Sequence, residues 1–231
     1  MEQTYVFEFN HHEATVIVPE HPNGEWIWKT EFLYAFDQAE QSLLHEGYTR
    51  VYYSVSDRYG SPRAIRYMHT FYQHVIQKFS LSPKCHLFGF SRGGLYAFNF
   101  ALFYPECVAS IYLDAPVLDM KSWPLPDTVE QAQMFVEFSL NKDTLCSFHE
   151  NPLDNLEEFF SLKIPMLIVA GAKDSLVHFS ENADVLITYC KQHEIPLEYI
   201  IKPDCDHHPH SLEDTAPILT FVNAHKTGGS L

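Results

Sequence analysis

Short apolar runs alternating with helix-length amphipathic ones are the strongest constraint on how this chain can fold. Arg50–Val55, Cys85–Phe90, Val108–Leu113, Met166–Ala170 and Leu197–Ile201 read as strands, rich in aromatic and branched residues. Between and after them, Ala64–Phe79, Gly93–Tyr104, Glu181–His193 and a stretch near Pro217–His225 read as helices. In Ala64–Phe79 the residues Ile65, Met68, Phe71, Tyr72, Val75, Ile76 and Phe79 recur at helical spacing. Parallel strands need a crossover of a dozen or more residues, usually a helix. The rhythm therefore predicts an α/β fold: a mostly parallel sheet with helices on both faces.

Two further strand runs open the chain, Tyr5–Phe9 and Ala14–Val18. A Pro/Gly loop over 19–24 follows, then a helix Phe32–His45 closed by Gly47. The rhythm breaks at about 115–162, where Pro116, Pro124, Pro126 and Pro152 surround one helical run, Thr128–Leu140. That segment reads as a short cap insertion over one end of the sheet. Lys226–Leu231, small or polar, are expected to fray.

At 231 residues the chain suits a single domain spanning 1–231. Thirty acidic against 15 basic residues give a formal charge of −15, which repels phosphate backbones and anionic lipid. Neither nucleic acid nor membrane is expected as a partner, and no apolar run approaches the ~20 residues of a membrane span. The first residues, MEQTYVFEFNHHE, lack a secretory signal pattern, and five cysteines without CxxC spacing speak against a disulfide scaffold or structural zinc. A soluble, cytoplasmic protein is the expectation.

Chemistry concentrates in Gly89-Phe90-Ser91-Arg92-Gly93-Gly94, between a buried strand and a helix. A serine there occupies a sharp turn that lifts its hydroxyl above the carboxyl end of the sheet. The crowded backbone demands residues without side chains two before and two after, which Gly89 and Gly93 supply. A serine needs a base, and the base needs an acid to set its tautomer. Asp174 lies just past strand Met166–Ala170, in Gly171-Ala172-Lys173-Asp174; its plain alternative is capping the following helix, and Asp119 is the rival acid. Beyond strand Leu197–Ile201 comes Asp206-His207-His208-Pro209-His210. One of these histidines is the expected base. His210 sits near the start of the next helix, where packing or a hydrogen bond to the loop suits it better, leaving His207 and His208. A metal site on His207, His208 and His210 is the competing view, set against adjacent histidines rarely reaching one ion and the absence of HExxH. For the oxyanion, the N–H of Arg92 is one donor. Trp28 or Lys29, in a loop around Trp26–Lys29 between an early strand and a helix, supplies the other. Trp28, Tyr59 and Trp123 lie on loops expected near the site, where aromatic faces suit sugar rings; they equally suit a core.

GFSRGG, GAKD and DHHPH, in this order and at the ends of these strands, resemble the α/β-hydrolase superfamily over essentially the whole chain. GFSRGGLYAFNFA, YLDAPVLDMKSWP and DHHPHSLED look like a subgroup of small bacterial serine hydrolases. The resemblance implies the α/β-hydrolase fold, a triad of Ser91, Asp174 and His207, and a short cap between strands six and seven. The chain departs from the pattern where Asp204 and Asp206 replace a glycine-rich turn and Lys29 stands for a common arginine. The expected activity is cleavage of a small-molecule carboxylic ester through an acyl-enzyme, with a small acyl group or a carbohydrate ester as substrate and no cofactor. The rivals are a non-catalytic binding protein of the same fold and a metal-dependent hydrolase.

Overall fold

The computed structural model describes residues 1–228. Eight strands form one sheet: β1 (Gln3–Phe9), β2 (His12–Val18), β3 (Trp26–Lys29), β4 (Thr49–Tyr53), β5 (Cys85–Phe90), β6 (Val108–Asp114), β7 (Met166–Gly171) and β8 (Glu198–Lys202). Their order is β1-β2-β4-β3-β5-β6-β7-β8. β2 runs antiparallel to both β1 and β4, and every pairing from β4 through β8 is parallel. The helices are α1 (Gln38–His45), α2 (Pro62–Lys78), α3 (Gly93–Phe103), α4 (Val129–Phe138), α5 (Lys142–Leu145), α6 (Leu156–Ser161), α7 (Ala183–Gln192) and α8 (Ala216–Ala224). Among the described residues no helix is long and apolar enough to cross a membrane.

Period-two alternation divides the strand side chains between two cores. Trp26, Trp28, Leu87, Ile111, Leu113 and Ile168 face one side, covered by α2, α3 and α7 through Phe71, Val75, Phe98, Phe100 and Leu186. Ile27, Phe88, Phe90, Tyr112, Leu167 and Val169 face the other, covered by α1 and α8 through Leu43, Ile218 and Phe221. Both faces are buried, which is why the central strands read as continuous apolar runs.

Two expectations need correction at the carboxyl end of β3. Trp26–Lys29 is not a loop but a fully buried strand, paired to β4 on one side and β5 on the other. Its lysine is compatible with burial because Lys29 Nζ pairs with Glu40 of α1 and bonds Ala35 O. The helix expected over Phe32–His45 begins only at Gln38. Phe32 and Phe36 have positive φ (58° and 50°), which an α-helix cannot contain. Residues 32–37 wind instead as turns over the sheet end, held by Arg50, whose guanidinium bonds Leu33 O and Asp37 Oδ2 at 3.0 and 2.9 Å.

Between β6 and β7 the chain forms α4, α5 and α6 with a 3-10 turn at Pro152–Asn155. Glu137 of α4 fastens this segment to the start of α2, accepting from Ser61 Oγ at 2.5 Å and pairing with Arg63 and Arg58. Fraying was expected from Lys226 onward, yet Thr227 is pinned: its N–H and hydroxyl bond Glu25 Oε1 at 2.9 and 2.7 Å. Residues 229–231 of that expectation lie outside the described residues.

Candidate active site

Ser91 stands between β5 and α3 with φ of 51°, a left-handed backbone that costs a non-glycine residue. The turn is held from three directions: Ser91 N donates to Asp114 O, and Ser91 O accepts from Gly94 N and Val117 N, each at 2.9 Å. The glycines are required by space. A Cβ on Gly89 would lie 2.9 Å from Gly93 O and from the Ala97 Cβ, and one on Gly93 would lie 2.9 Å from Thr30 Oγ1.

His207 Nε2 lies 3.0 Å from Ser91 Oγ, and His207 Nδ1 lies 2.7 Å from Asp174 Oδ2. All three side chains are buried. The other Asp174 oxygen accepts the N–H groups of Leu176 and Val177 at 3.0 and 2.8 Å. The same carboxylate therefore orders its own turn and faces the imidazole; it does not cap the following helix, since α7 begins only at Ala183, behind Asn182. Asp119 goes elsewhere: its Oδ1 accepts from Lys121 N at 2.8 Å, and burial raises its carboxyl above the ordinary range.

The acid and base loops are stitched together. Lys173 N donates to Cys205 O at 3.0 Å, and Asp206 Oδ1 accepts from Ser175 N and His207 N at 2.8 and 2.7 Å. These donors, the Ser175 N–H foremost, hold the Asp206 carboxyl below its usual range. Gly171 lets the loops meet, because a Cβ there would lie 2.4 Å from Asp206 O.

His210 does not merely bond its own loop. Its Nδ1 lies 2.7 Å from Asp114 Oδ1, at the end of β6. The other Asp114 oxygen accepts from Tyr112 Oη at 2.6 Å and from Ser211 N at 2.8 Å. His208 is exposed and stacks on Phe36 at 5.4 Å; burial foremost, then His210 and His207, lowers its pKa from 6.5. A second histidine–carboxylate pair beside the first was invisible in the sequence, where Asp114 and His210 stand 96 positions apart.

The oxyanion expectation changes at Trp28 and Lys29. Both amides belong to a strand flanked on either side, and Thr30 N already donates to Phe88 O at 3.0 Å. The first amides past β3 without an intramolecular acceptor among the described residues are Glu31 and Phe32. The Arg92 N–H, at the start of α3, is likewise free of one. The Trp28 ring is in the core against Phe100 (5.1 Å) and Phe71 (5.7 Å), away from the site. Tyr59 is also buried, donating its hydroxyl to Gln133 Oε1 at 2.8 Å, with its phenol pushed up to about 12 by burial.

Trp123 does reach the site. It lines a cavity of about 330 Å³ with Phe32, Phe36, Phe90, Leu176 and Glu130, floored by Ser91, Arg92, His207 and His210. The pocket is apolar-walled with polar groups converging at one end, as ligand sites generally are. Such an arrangement can activate a hydroxyl, hold the imidazolium that results, and offer N–H donors to developing negative charge.

The family model for the prolyl oligopeptidase family (Peptidase_S9) matches residues 63–227. No curated protein matches the sequence. Among solved structures, the Staphylococcus aureus fluorophosphonate-binding serine hydrolase FphF, solved with substrate bound, superposes with a TM-score of 0.71 at 16% identity, covering 100% of this chain and 99% of that one. Porphyromonas gingivalis dipeptidyl peptidase 4 superposes at 0.67 with 14% identity; 95% of this chain is covered but only 34% of the peptidase, so the chain spans about a third of that protein. The fold is that of the α/β-hydrolases.

Proposed function

Because the chain belongs to the prolyl oligopeptidase family and is a serine hydrolase, we propose that it cleaves carboxylic esters with a small acyl group through an acyl-enzyme. The observation that carries this reading is the continuous chain Ser91 Oγ–His207–Asp174, at 3.0 and 2.7 Å.

Ser91 Oγ attacks the ester carbonyl while His207 Nε2 takes its proton. Asp174 accepts the Nδ1–H bond and stabilises the imidazolium. The tetrahedral oxyanion is met by the Arg92 N–H and by the amides of the Glu31–Phe32 turn. Collapse expels the alcohol, which takes the proton from His207. Water then repeats the sequence on the acyl-serine, with His207 again as base, and the acid leaves. Leaving-group chemistry supports ester over amide cleavage, and the size of the cavity, at the lower end of the usual range for ligand sites, supports a small acyl group. Of Trp28, Tyr59 and Trp123, only Trp123 lines the cavity, beside Phe32, Phe36 and Phe90, so aromatic faces for a sugar alcohol come largely from other residues than those expected.

A second reading rests on Glu130, which lines the cavity and whose carboxylate would pair with a free amino terminus. In that case the substrate is a short peptide. Fluorophosphonate labelling mapped by mass spectrometry, then p-nitrophenyl esters of increasing acyl length beside a dipeptidyl p-nitroanilide, tests both. The ester reading expects the adduct on Ser91 and a fall in kcat/KM with long acyl chains. An anilide cleaved as fast as the best ester transfers the proposal to peptides, and an adduct elsewhere removes it.

A further inference from the structure

Three imidazoles converge at the floor of this cavity. The rings of His207, His208 and His210 are mutually edge-to-face with centroids 4.8–4.9 Å apart. One ligand atom from each lies within 4.8 Å of the others. The Nδ1 atoms of His207 and His210 are engaged by Asp174 and Asp114, so their Nε2 atoms face any further ligand: that of His210 has no partner among the described residues, and that of His207 has only the Ser91 hydroxyl at 3.0 Å, which an ion would displace. His208 makes no ring-nitrogen hydrogen bond among the described residues, and its exposed side chain is free to turn.

We propose that this cluster is an inhibitory site for a divalent transition ion of the zinc type, one that switches the hydrolase off by taking the lone pair of its base. The inference rests on His207 being that base. Imidazole is a preferred zinc ligand at about 2.0–2.1 Å, and a tetrahedral centre sets neighbouring nitrogens roughly 3.4 Å apart. Reaching that spacing requires the rings to close in, and His208 is the one free to move. Ligating histidines nearly always give their other N–H to a carboxylate, which fixes the ring and raises its basicity. Two of the three here already do so. The carboxylates of Asp174 and Asp114 also bring two negative charges within one hydrogen bond of the ligands, matching a divalent charge in a partly buried place. Water or the Ser91 hydroxyl completes the coordination.

Binding exchanges three aqua ligands of the hydrated ion for three imidazole nitrogens and breaks the hydrogen bond between His207 Nε2 and Ser91 Oγ; no covalent bond of the protein changes, but the acceptor to which Ser91 must give its proton is gone. A metal-dependent mechanism predicts the reverse effect of a chelator. Here the ion subtracts from activity, and a chelator restores it.

Calorimetric titration of the Ser91→Ala protein with zinc chloride reads binding without catalysis. The result expected is one ion per chain. Asp114→Asn should weaken it about 10–100-fold, the usual consequence of losing a carboxylate behind a ligating histidine. His208→Ala, on the surface and safe for folding, should weaken it at least about tenfold, the order at which losing even a supporting group is felt. His69→Ala serves as control, since His69, Glu106 and Cys107 form the other candidate cluster among the described residues. Zinc should also inhibit wild-type ester hydrolysis reversibly, magnesium should not, and EDTA should restore the rate. Stoichiometric binding that survives His208→Ala and is lost in His69→Ala overturns the proposal, as does no binding to the Ser91→Ala protein at millimolar zinc. Failure of fluorophosphonate to label Ser91 would instead strike the hydrolase reading and leave the binding result standing.

Discussion

Replacing Asp174 by asparagine separates the two jobs of this carboxylate. Its Oδ1 holds the turn through Leu176 N and Val177 N, which an amide oxygen does equally well. Its Oδ2 faces His207 Nδ1 at 2.7 Å, and there an amide presents N–H instead of an acceptor. The imidazole must then turn its lone pair to Nδ1 and carry its proton on Nε2, toward Ser91 Oγ. A base holding its proton on the wrong nitrogen cannot accept one. The loss of kcat for Asp174→Asn should be about three to four powers of ten, equivalent to about 4–5.5 kcal/mol on the barrier at 1.36 kcal/mol per decade. Because the turn keeps its bonds, the melting temperature should stay close to that of the parent. The assay is steady-state hydrolysis of a short p-nitrophenyl ester, with the rate of fluorophosphonate labelling as an independent measure of Ser91 reactivity. Asp119→Asn is the matched control and should change kcat by no more than a few-fold, since that carboxylate serves only Lys121 N. A loss below tenfold in a folded Asp174→Asn protein, or equal losses at both positions, would refute the reasoning.

Gly171→Ala places a methyl 2.4 Å from Asp206 O and 2.5 Å from Cys205 O, so the base loop must shift; kcat should fall well before KM changes, and a variant with unchanged kcat would contradict the packing. Lys29→Met strands the buried Glu40 carboxylate, whose pKa burial already raises, and should cost about 3–5 kcal/mol in urea unfolding. Lys29→Met combined with Glu40→Leu should recover most of that loss. The Asp206 carboxyl is held below its ordinary 3.8 in the folded protein, so its clamp on Ser175 N and His207 N is fully present above about pH 4 and is lost as pH falls through the lowered value. Protection of the Ser175 and His207 amides, as exchange relative to the intrinsic rate at each pH, should fall only in that acid window, and Asp206→Asn should remove the transition.

The legibility of the molecule followed how locally each feature is determined. β5 and α3 were readable almost to the residue, since an apolar run buried on both faces ends at a glycine-flanked turn whose spacing is itself the chemistry. That Asp174 and a histidine of 207–210 would lie near Ser91 was readable because parallel strands deliver the loops that follow them to one edge; the choice of His207 over His208 came from the resemblance. β3 was missed for a physical reason: four residues following a Pro/Gly loop and ending in lysine look like surface. Lys29 becomes a core residue only through Glu40, eleven positions away on a helix the pattern started too early. The expected helix began at Phe32, whereas the positive φ values of Phe32 and Phe36 turn the chain over the sheet, where both residues line the cavity. Both errors fell where the oxyanion amides and the substrate wall are built, so the second donor and the pocket were the parts left unread.

The sheet order holds the serine turn from both sides and the His207 loop from one. Ser91 leaves β5, between β3 and β6, and its turn is bonded on one side to Asp114 of β6 and packed on the other against Thr30 beyond β3. Neither neighbour can move without disturbing a strand buried on both faces. The base comes instead from the loop after β8, the edge strand, whose partner β7 carries the acid. Only one side of that loop meets the sheet, through Lys173 N to Cys205 O, and side-chain bonds add the rest: Asp206 to the turn after β7, Lys202 Nζ to Pro209 O and Ser211 O, and His210 to Asp114. The last of these matters most, because Asp114 also supplies the carbonyl that accepts Ser91 N. One residue at the end of β6 thus ties the nucleophile's backbone to the base's loop, and the distance between Ser91 Oγ and His207 Nε2 is referred to a single buried point.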